Sequence, residues 1–139
     1  MLVRSKLGAA ALRAALVGAA RRLAEPACAT IFTDYADAFG RKLQENLDAL
    51  GQTGPDYLQL LVFADGYGLA RCMNPGILAL TATGSRVIHV CPQFAETHLR
   101  EPATAQAVLI HEALHSLGLR ENPPSSREIT ARVFARCGH

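Results

Sequence analysis

The sequence lacks several features that mark large protein classes. It has no apolar run long enough to span a bilayer, so no stable membrane span is expected. None of the four cysteines forms a C-x-x-C pair, which argues against a zinc knuckle. No internal repeat, linker or low-complexity tract follows the alanine-rich start. A chain of 139 residues with these absences is expected to form one folded domain with its own core.

Acidic residues are absent from the first 24 positions. This segment carries five of the 14 basic residues, whereas residues 25–139 carry nine basic and all 12 acidic residues. The body is therefore slightly acidic, although the formal net charge of the whole chain is +2. No broad phosphate-binding surface is evident, and we do not expect a nucleic-acid partner.

Residues 1–24 fit two interpretations. Two basic residues precede an apolar stretch at 7–20, as in a secretory signal. Arg13 interrupts that stretch and weakens this interpretation, and the alternative is an amphipathic N-terminal helix. We therefore divide the chain into a signal-like or helical segment, 1–24, and a single functional domain, 25–139.

Four cysteines in a small domain predict disulfides, and with them a secreted or extracytoplasmic protein. Among the three possible pairings we favour Cys28–Cys137, which would tie together the two ends of the domain. The second pair is then Cys72–Cys91, which would close a loop ahead of a predicted hairpin. The alternative is four buried free thiols in a cytoplasmic protein.

Hydrophobic periodicity and turn residues predict an α+β fold. An apolar stripe predicts a helix that ends at Gly51, and the apolar run at 57–63 predicts a buried strand. Two β-rich runs flank Gly84-Ser85, which indicates a hairpin. The remaining elements are a helix over 102–117 and a last helix that follows the capping-box pattern Ser125 to Glu128 and ends near Cys137-Gly138.

The helix predicted over 102–117 carries the pattern H-E-x-x-H. His111 and His115 are four residues apart, so they lie on one helical face and can aim two imidazoles at one point. Zinc accepts nitrogen ligands at about 2.0–2.1 Å in a tetrahedral shell. Glu112 can reach over the metal and accept a proton from water. Gly118 can end the helix, which allows the chain to turn back and present Glu121 to the same ion.

The stretch H-E-x-x-H-S-L-G-L-x-E at 111–121 resembles the zinc-binding signature of the metzincin metallopeptidases, H-E-x-x-H-x-x-G-x-x-H. Its Ser-Leu-Gly-Leu segment is similar to that of the matrix metalloproteinases. Two departures are visible: Glu121 stands where the signature has a third His, and no methionine follows the motif to form a Met-turn. The resemblance implies a small zincin-like domain with an active-site helix, a hairpin or small sheet, and a C-terminal helix.

Two glutamates are candidates for the third zinc ligand. Glu121 occupies the position that the metzincin resemblance assigns to it, and we favour it. Glu128 is the alternative, because gluzincins take a Glu ligand from a second helix, and a helical hairpin would bring Glu128 close to His115. Both remain open at this point.

The resemblance implies a zinc-dependent metallopeptidase that hydrolyses peptide bonds through a zinc-activated water, with Glu112 as general base and a peptide or protein as substrate. It also places an edge strand of the hairpin beside the metal, where an extended peptide would dock. An ordinary core hairpin fits the same pattern. Candidates to stabilise the oxyanion are Tyr35, Tyr57, Tyr67 and His89.

Two other functions remain as alternatives. The first is a non-catalytic, zinc-bearing binding module in which Glu121 and Glu128 both bind the ion and no position remains for water. The second is a nuclease resembling the bacterial ribosomal-RNA maturation family, which the slightly acidic body disfavours. The sequence does not indicate an oligomeric state.

Overall fold

The computed structural model describes residues 6–139, so residues 1–5 of the predicted N-terminal segment lie outside it. The described chain forms a small α+β domain. Its elements, in order, are α1 (Lys6–Leu23), α2 (Pro26–Ala29), α3 (Ile31–Asp34), α4 (Leu43–Leu50), α5 (Gly54–Leu58), β1 (Val62–Asp65), a 3-10 turn (Ala70–Met73), β2 (Ala79–Leu80), β3 (Val87–Val90), α6 (Phe94–Arg100), α7 (Pro102–Ser116) and α8 (Ser126–Cys137).

Helix α7 is the central element of the fold. It contacts α1, α6, α8 and β2. Its apolar side chains Leu109, Ile110, Ala113 and Leu114 are almost fully buried. A helix that is buried on nearly all sides gives its remaining polar face a fixed position relative to the rest of the core.

The N-terminal segment contributes to this core. Leu12, Ala15, Ala19 and Leu23 recur at helical spacing along α1 and are buried. Within this stretch, the described residues Lys6–Leu23 form a helix, and one face of it packs on α7, α6 and α5. In the part of the chain that the structure describes, neither α1 nor any other helix has the length and hydropathy of a membrane span.

The sheet has three strands in the order β1-β3-β2. Strand β3 pairs in parallel with β1, where Phe63 lies opposite Ile88, and antiparallel with β2, where Leu80 lies opposite His89. The predicted hairpin around Gly84 is thus present, although β2 has only two residues and β3 four. Strand β2 forms one edge of this sheet.

The predicted strand at 57–63 is wrong in its first half. Residues through Leu58 belong to α5, and β1 begins only at Val62. The side chain of Thr53 accepts a hydrogen bond from the Asp56 N–H, and Pro55 lies in the first turn of the helix. This N-cap favours helix where the apolar composition alone suggested a strand.

The other predicted elements agree with the structure to within a few residues. Helix α4 ends at Gly51, whose φ of 67° is the left-handed conformation expected at a helix end. Helix α8 follows Ser125, whose hydroxyl accepts the Glu128 N–H. Both favoured disulfides, Cys28–Cys137 and Cys72–Cys91, are formed, and no described cysteine is free. Two disulfides fit an extracytoplasmic location.

Candidate metal centre

The two histidines of the motif face each other on α7. His111 and His115 are 5 % and 4 % exposed, and their Nε2 atoms lie 3.1 Å apart. Neighbouring ligand atoms in a tetrahedral zinc shell with bonds of about 2.0–2.1 Å are separated by roughly 3.3–3.4 Å. The ring pair therefore has close to the separation that a shared zinc ion requires.

Each ring is oriented by a contact at its other nitrogen. His115 donates from Nδ1 to the carbonyl oxygen of Leu119 over 2.7 Å. Because a carbonyl only accepts, this contact puts the proton on Nδ1 and leaves the lone pair of a neutral ring on Nε2. His111 Nδ1 lies 3.0 Å from the hydroxyl of Thr130 on α8. Such partners fix the orientation of metal-binding histidines in proteins generally.

Glu121 completes the cluster. Its Oε1 atom lies 3.3 Å from His115 Nε2, and one ligand atom from each of His111, His115 and Glu121 falls within 4.8 Å of the other two. A carboxylate and an imidazole lone pair repel each other unless a proton or a cation lies between them. A proton bridges one pair of atoms, whereas a cation can satisfy all three. Two imidazoles and a carboxylate suit zinc, so these residues fit that ion.

The turn after α7 carries Glu121 back to the histidines. Gly118 has a φ of 119°, and a Cβ atom there would lie 2.9 Å from the Cβ of Asp37. Asn46 donates both to the Leu117 carbonyl, over 2.9 Å, and to Asp37, over 3.1 Å. The hydrogen bond from Asn46, helped by those from Arg41, lowers the pKa of Asp37 to about 2, although desolvation opposes this shift. Asp37 is thus ionised at neutral pH and holds the turn in place.

A cavity of about 150 Å³ opens beside the three candidate ligands. Glu112 lines it and is 7 % exposed. Residues 76–81, which include β2, form another wall. The Gly84 N–H donates to the His115 carbonyl over 2.9 Å and so ties the hairpin turn to the end of α7. The edge strand therefore lies next to the candidate metal ligands and the buried glutamate.

Burial shifts the pKa values of two ionisable side chains at the site, His111 and Glu112. Burial, and secondarily the neighbouring His115, lowers the pKa of His111 to about 4, so its ring is neutral at pH 7. Burial, and secondarily repulsion from Glu121, raises the pKa of Glu112 to about 8, while Arg71 acts in the opposite direction. Glu112 therefore has a higher proton affinity than an exposed carboxylate. A cation nearby would favour its ionised form.

Other residues singled out from the sequence lie elsewhere. Glu128 is exposed and does not belong to the described cluster of candidate ligands; its charge acts on Tyr35. Tyr57 is buried, and its hydroxyl shares a 2.7 Å hydrogen bond with Ser116. Within the described chain, neither these two tyrosines nor Tyr67 or His89 lines the cavity. None of the four oxyanion candidates is therefore positioned to contact a ligand there.

Two residues at the site were missed by sequence reasoning. Thr130 meets His111, and Arg71 lines the cavity. Thr130 lies 19 residues beyond His111 with no motif around it, so its role depends on how α8 packs on α7. For Arg71, the sequence did contain an indication. The predicted disulfide at the adjacent Cys72 implies that the backbone carrying Arg71 has a fixed position.

Comparisons with known proteins add no family assignment. No protein-family model, curated protein or solved structure matches the chain. The resemblance to metzincins therefore rests on residues 111–121 alone, and a functional conclusion has to rest on the geometry of the site.

Proposed function

We propose that the protein is a zinc-dependent metallopeptidase with a zincin-like site, in which His111, His115 and Glu121 hold the ion and Glu112 is the general base. One observation carries the proposal. The two histidine Nε2 atoms and the Glu121 carboxylate converge, and a buried glutamate lines the same cavity.

The number of candidate ligands supports catalysis over a closed structural site. Among described His, Cys, Asp and Glu residues, no fourth one joins the cluster, and Glu128 is outside it. Zinc with three protein ligands keeps one position open for water and acts there as a Lewis acid. This coordination number disfavours the non-catalytic binding module, which needs a fourth protein ligand.

Glu112 is suited to proton transfer. Its carboxylate lies in the same cavity as the three ligands, and its pKa of about 8 in the metal-free protein reflects a strong affinity for protons. In the proposed reaction it accepts a proton from the attacking water and passes it to the leaving amine. The walls around it limit access of bulk solvent, which strengthens electrostatic interactions inside the cavity.

The edge strand supports a peptide as substrate. Strand β2 forms an edge of the sheet and lines the cavity, so its main chain can pair with an extended peptide that passes the metal. The two disulfides fit a protein that acts outside the cytoplasm, and we propose that the enzyme is exported.

The test combines metal content with peptide turnover. We expect one zinc per chain by elemental analysis, and we expect Glu112→Gln to keep the zinc while hydrolysis of a peptide library falls by at least about 100-fold. His111→Ala should lose both zinc and turnover. Glu128→Gln is the matched control and should keep both. Zinc binding without turnover in the unmodified protein would instead favour the binding module.

A further inference from the structure

Arg71 brings a permanent positive charge to the wall of the cavity. It lies in the 3-10 turn Ala70–Met73 and is exposed. Among the described residues that line the cavity, it is the only Lys or Arg, and the acidic ones are Glu112 and Glu121. Its charge is close enough to act on Glu112.

The segment that carries Arg71 is held at several points. The next residue, Cys72, is bonded to Cys91 directly after β3. The side-chain amide of Gln93 contacts the carbonyl oxygens of Cys72 and Asn74, at 3.0 Å each, and also that of Ile77. These contacts fix the backbone within the turn and directly after it, so the Arg71 side chain projects from a defined position on the cavity wall.

Among the described residues, none forms an ion pair with the guanidinium of Arg71. Within residues 6–139, no carboxylate lies within 4.0 Å of it, whereas Arg136 and Arg41 each pair with an aspartate. An arginine presents several N–H donors in a planar fork, which matches the two oxygens of a carboxylate. The side chain is therefore available to a ligand that enters the cavity.

We infer that Arg71 is a specificity-determining residue that selects peptides carrying a carboxylate near the bond held at the metal. The inference rests on the proposed function. The charges support it: a divalent cation is balanced by the carboxylates of Glu112 and Glu121, which leaves the charge of Arg71 unopposed in the loaded cavity. An acidic substrate group would compensate it.

Binding of labelled peptides tests the inference without turnover. Zinc-loaded Glu112→Gln protein is titrated with amidated peptides that differ only by Glu, Gln or Lys at one position, and fluorescence anisotropy is measured. We expect the Glu peptide to bind about tenfold more tightly than the Gln peptide, and Arg71→Glu to move the preference to Lys. Should the charge reversal disturb folding, Arg71→Gln should abolish the preference. A Gln peptide with a free C-terminal carboxylate distinguishes a side-chain carboxylate from a terminal one.

Arg86 provides the matched control. It is exposed and does not line the cavity, and only its backbone carbonyl has a role in the sheet, as acceptor for the Val62 N–H. Arg86→Glu changes the net charge of the protein by the same amount. It should leave the preference for the Glu peptide unchanged.

A second measurement separates this inference from the proposed function. In metal-free protein, the NMR signal of the Arg71 side-chain Nε–H should shift on addition of the Glu peptide and not of the Gln peptide. If that shift appears in a protein that neither keeps zinc nor hydrolyses peptides, the proposed function fails while Arg71 is established as a carboxylate-binding residue. If neither measurement distinguishes Glu from Gln, the inference is overturned, whatever the enzyme does.

Discussion

Thr130 and Leu119 determine which nitrogen each histidine presents to the cavity. Thr130 meets His111 at Nδ1, and the carbonyl of Leu119 accepts from His115 at Nδ1, so both Nε2 atoms face the candidate metal position. The Leu119 contact is made by the backbone and cannot be removed by substitution. The Thr130 contact is made by a side chain and can be tested.

Replacing Thr130 with Val removes the hydroxyl while keeping the branched shape. We expect zinc affinity to fall by about 10–100-fold, because His111 loses the partner that fixes its ring. Competition with a chromogenic chelator measures the change. Thr130→Ser, which keeps the hydroxyl, should bind zinc almost as well as the original protein. Equal affinities in the Val and Ser variants would contradict this role.

The buried glutamate should give metal-free protein an unusual dependence of stability on pH. The pKa of Glu112 is raised from its ordinary 4.5 to about 8, so between these values the folded state binds more protons than the unfolded chain. Stability from this group is therefore complete below pH 4.5 and is lost as pH rises towards 8. The pKa of His111, lowered from 6.5 to about 4, produces the opposite slope between pH 4 and 6.5.

These two slopes oppose each other below pH 6.5, so the effect of Glu112 stands alone between pH 6.5 and 8. In chelator-treated protein we expect the free energy of unfolding, from urea titrations, to fall across that interval. The Glu112→Gln variant has no titrating group at position 112, so its free energy of unfolding should change little across that interval. Glu128→Gln should follow the original protein. An undiminished fall in Glu112→Gln would show that another group is responsible.

At the residue scale, the sequence predicts what helical spacing can bring together. His111, Glu112 and His115 are placed by a single helix, so their proximity follows from local geometry. Thr130 and Arg71 reach the site through tertiary packing, which no local pattern encodes. Tyr57, a candidate oxyanion stabiliser by residue type, is instead hydrogen-bonded to Ser116 and does not line the cavity.

At the scale of elements, the turn after α7 adds Glu121 to the two histidines of the helix and so completes the cluster of three candidate ligands. Gly118→Ala would place a side chain on a left-handed residue, 2.9 Å from the Cβ of Asp37. We expect backbone strain to cost about 1–3 kcal/mol of stability. Zinc affinity should fall as well, because the turn that positions Glu121 has to move. Chemical denaturation and zinc titration measure the two effects.

Gly51, at the end of α4, offers the control for that substitution. It also has a positive φ, 67°, but no described atom lies within 4 Å of the position its Cβ would take. Gly51→Ala should cost about 1 kcal/mol through backbone strain and leave zinc affinity unchanged. A loss of zinc affinity equal to that of Gly118→Ala would remove the special role of the turn.

The elements that the sequence predicts best are those with their own start and stop signals. Helix α8 has the Ser125 cap, and α4 ends at Gly51. The start of α4 is harder to predict from sequence. The residues before it form a turn instead of helix, because Asp37 accepts hydrogen bonds from the N–H groups of Phe39 and Arg41. The parallel pairing of β1 with β3 joins segments 25 residues apart and leaves no local signature.

At the scale of the whole molecule, the C-terminal ends of α1 and α8 are linked to each other and to α7. Arg22 on α1 donates to the carbonyl oxygens of Cys137 and Gly138 at the end of α8, and to Gln106 on α7. Arg136 forms a two-point ion pair with Asp34, again linking α8 to an early helix. The packing of α8, and through it the contact of Thr130 with His111, depends on these connections.

We therefore expect the two disulfides to have different roles: Cys28–Cys137 stabilises the fold, and Cys72–Cys91 fixes the cavity wall. The Cys28–Cys137 bond spans 109 residues and the Cys72–Cys91 bond 19, so chain entropy predicts the larger loss of stability when the first is removed. We expect Cys28→Ala/Cys137→Ala to lose about 2–5 kcal/mol in guanidinium unfolding and Cys72→Ala/Cys91→Ala to lose less. The second variant should instead weaken the preference for acidic peptides, because the turn carrying Arg71 is then held by the Gln93 contacts alone. Zinc affinity should persist in both variants under folding conditions. A reversed order of stabilities, or an unchanged peptide preference in the second variant, would mean that the short disulfide serves the core rather than the cavity wall.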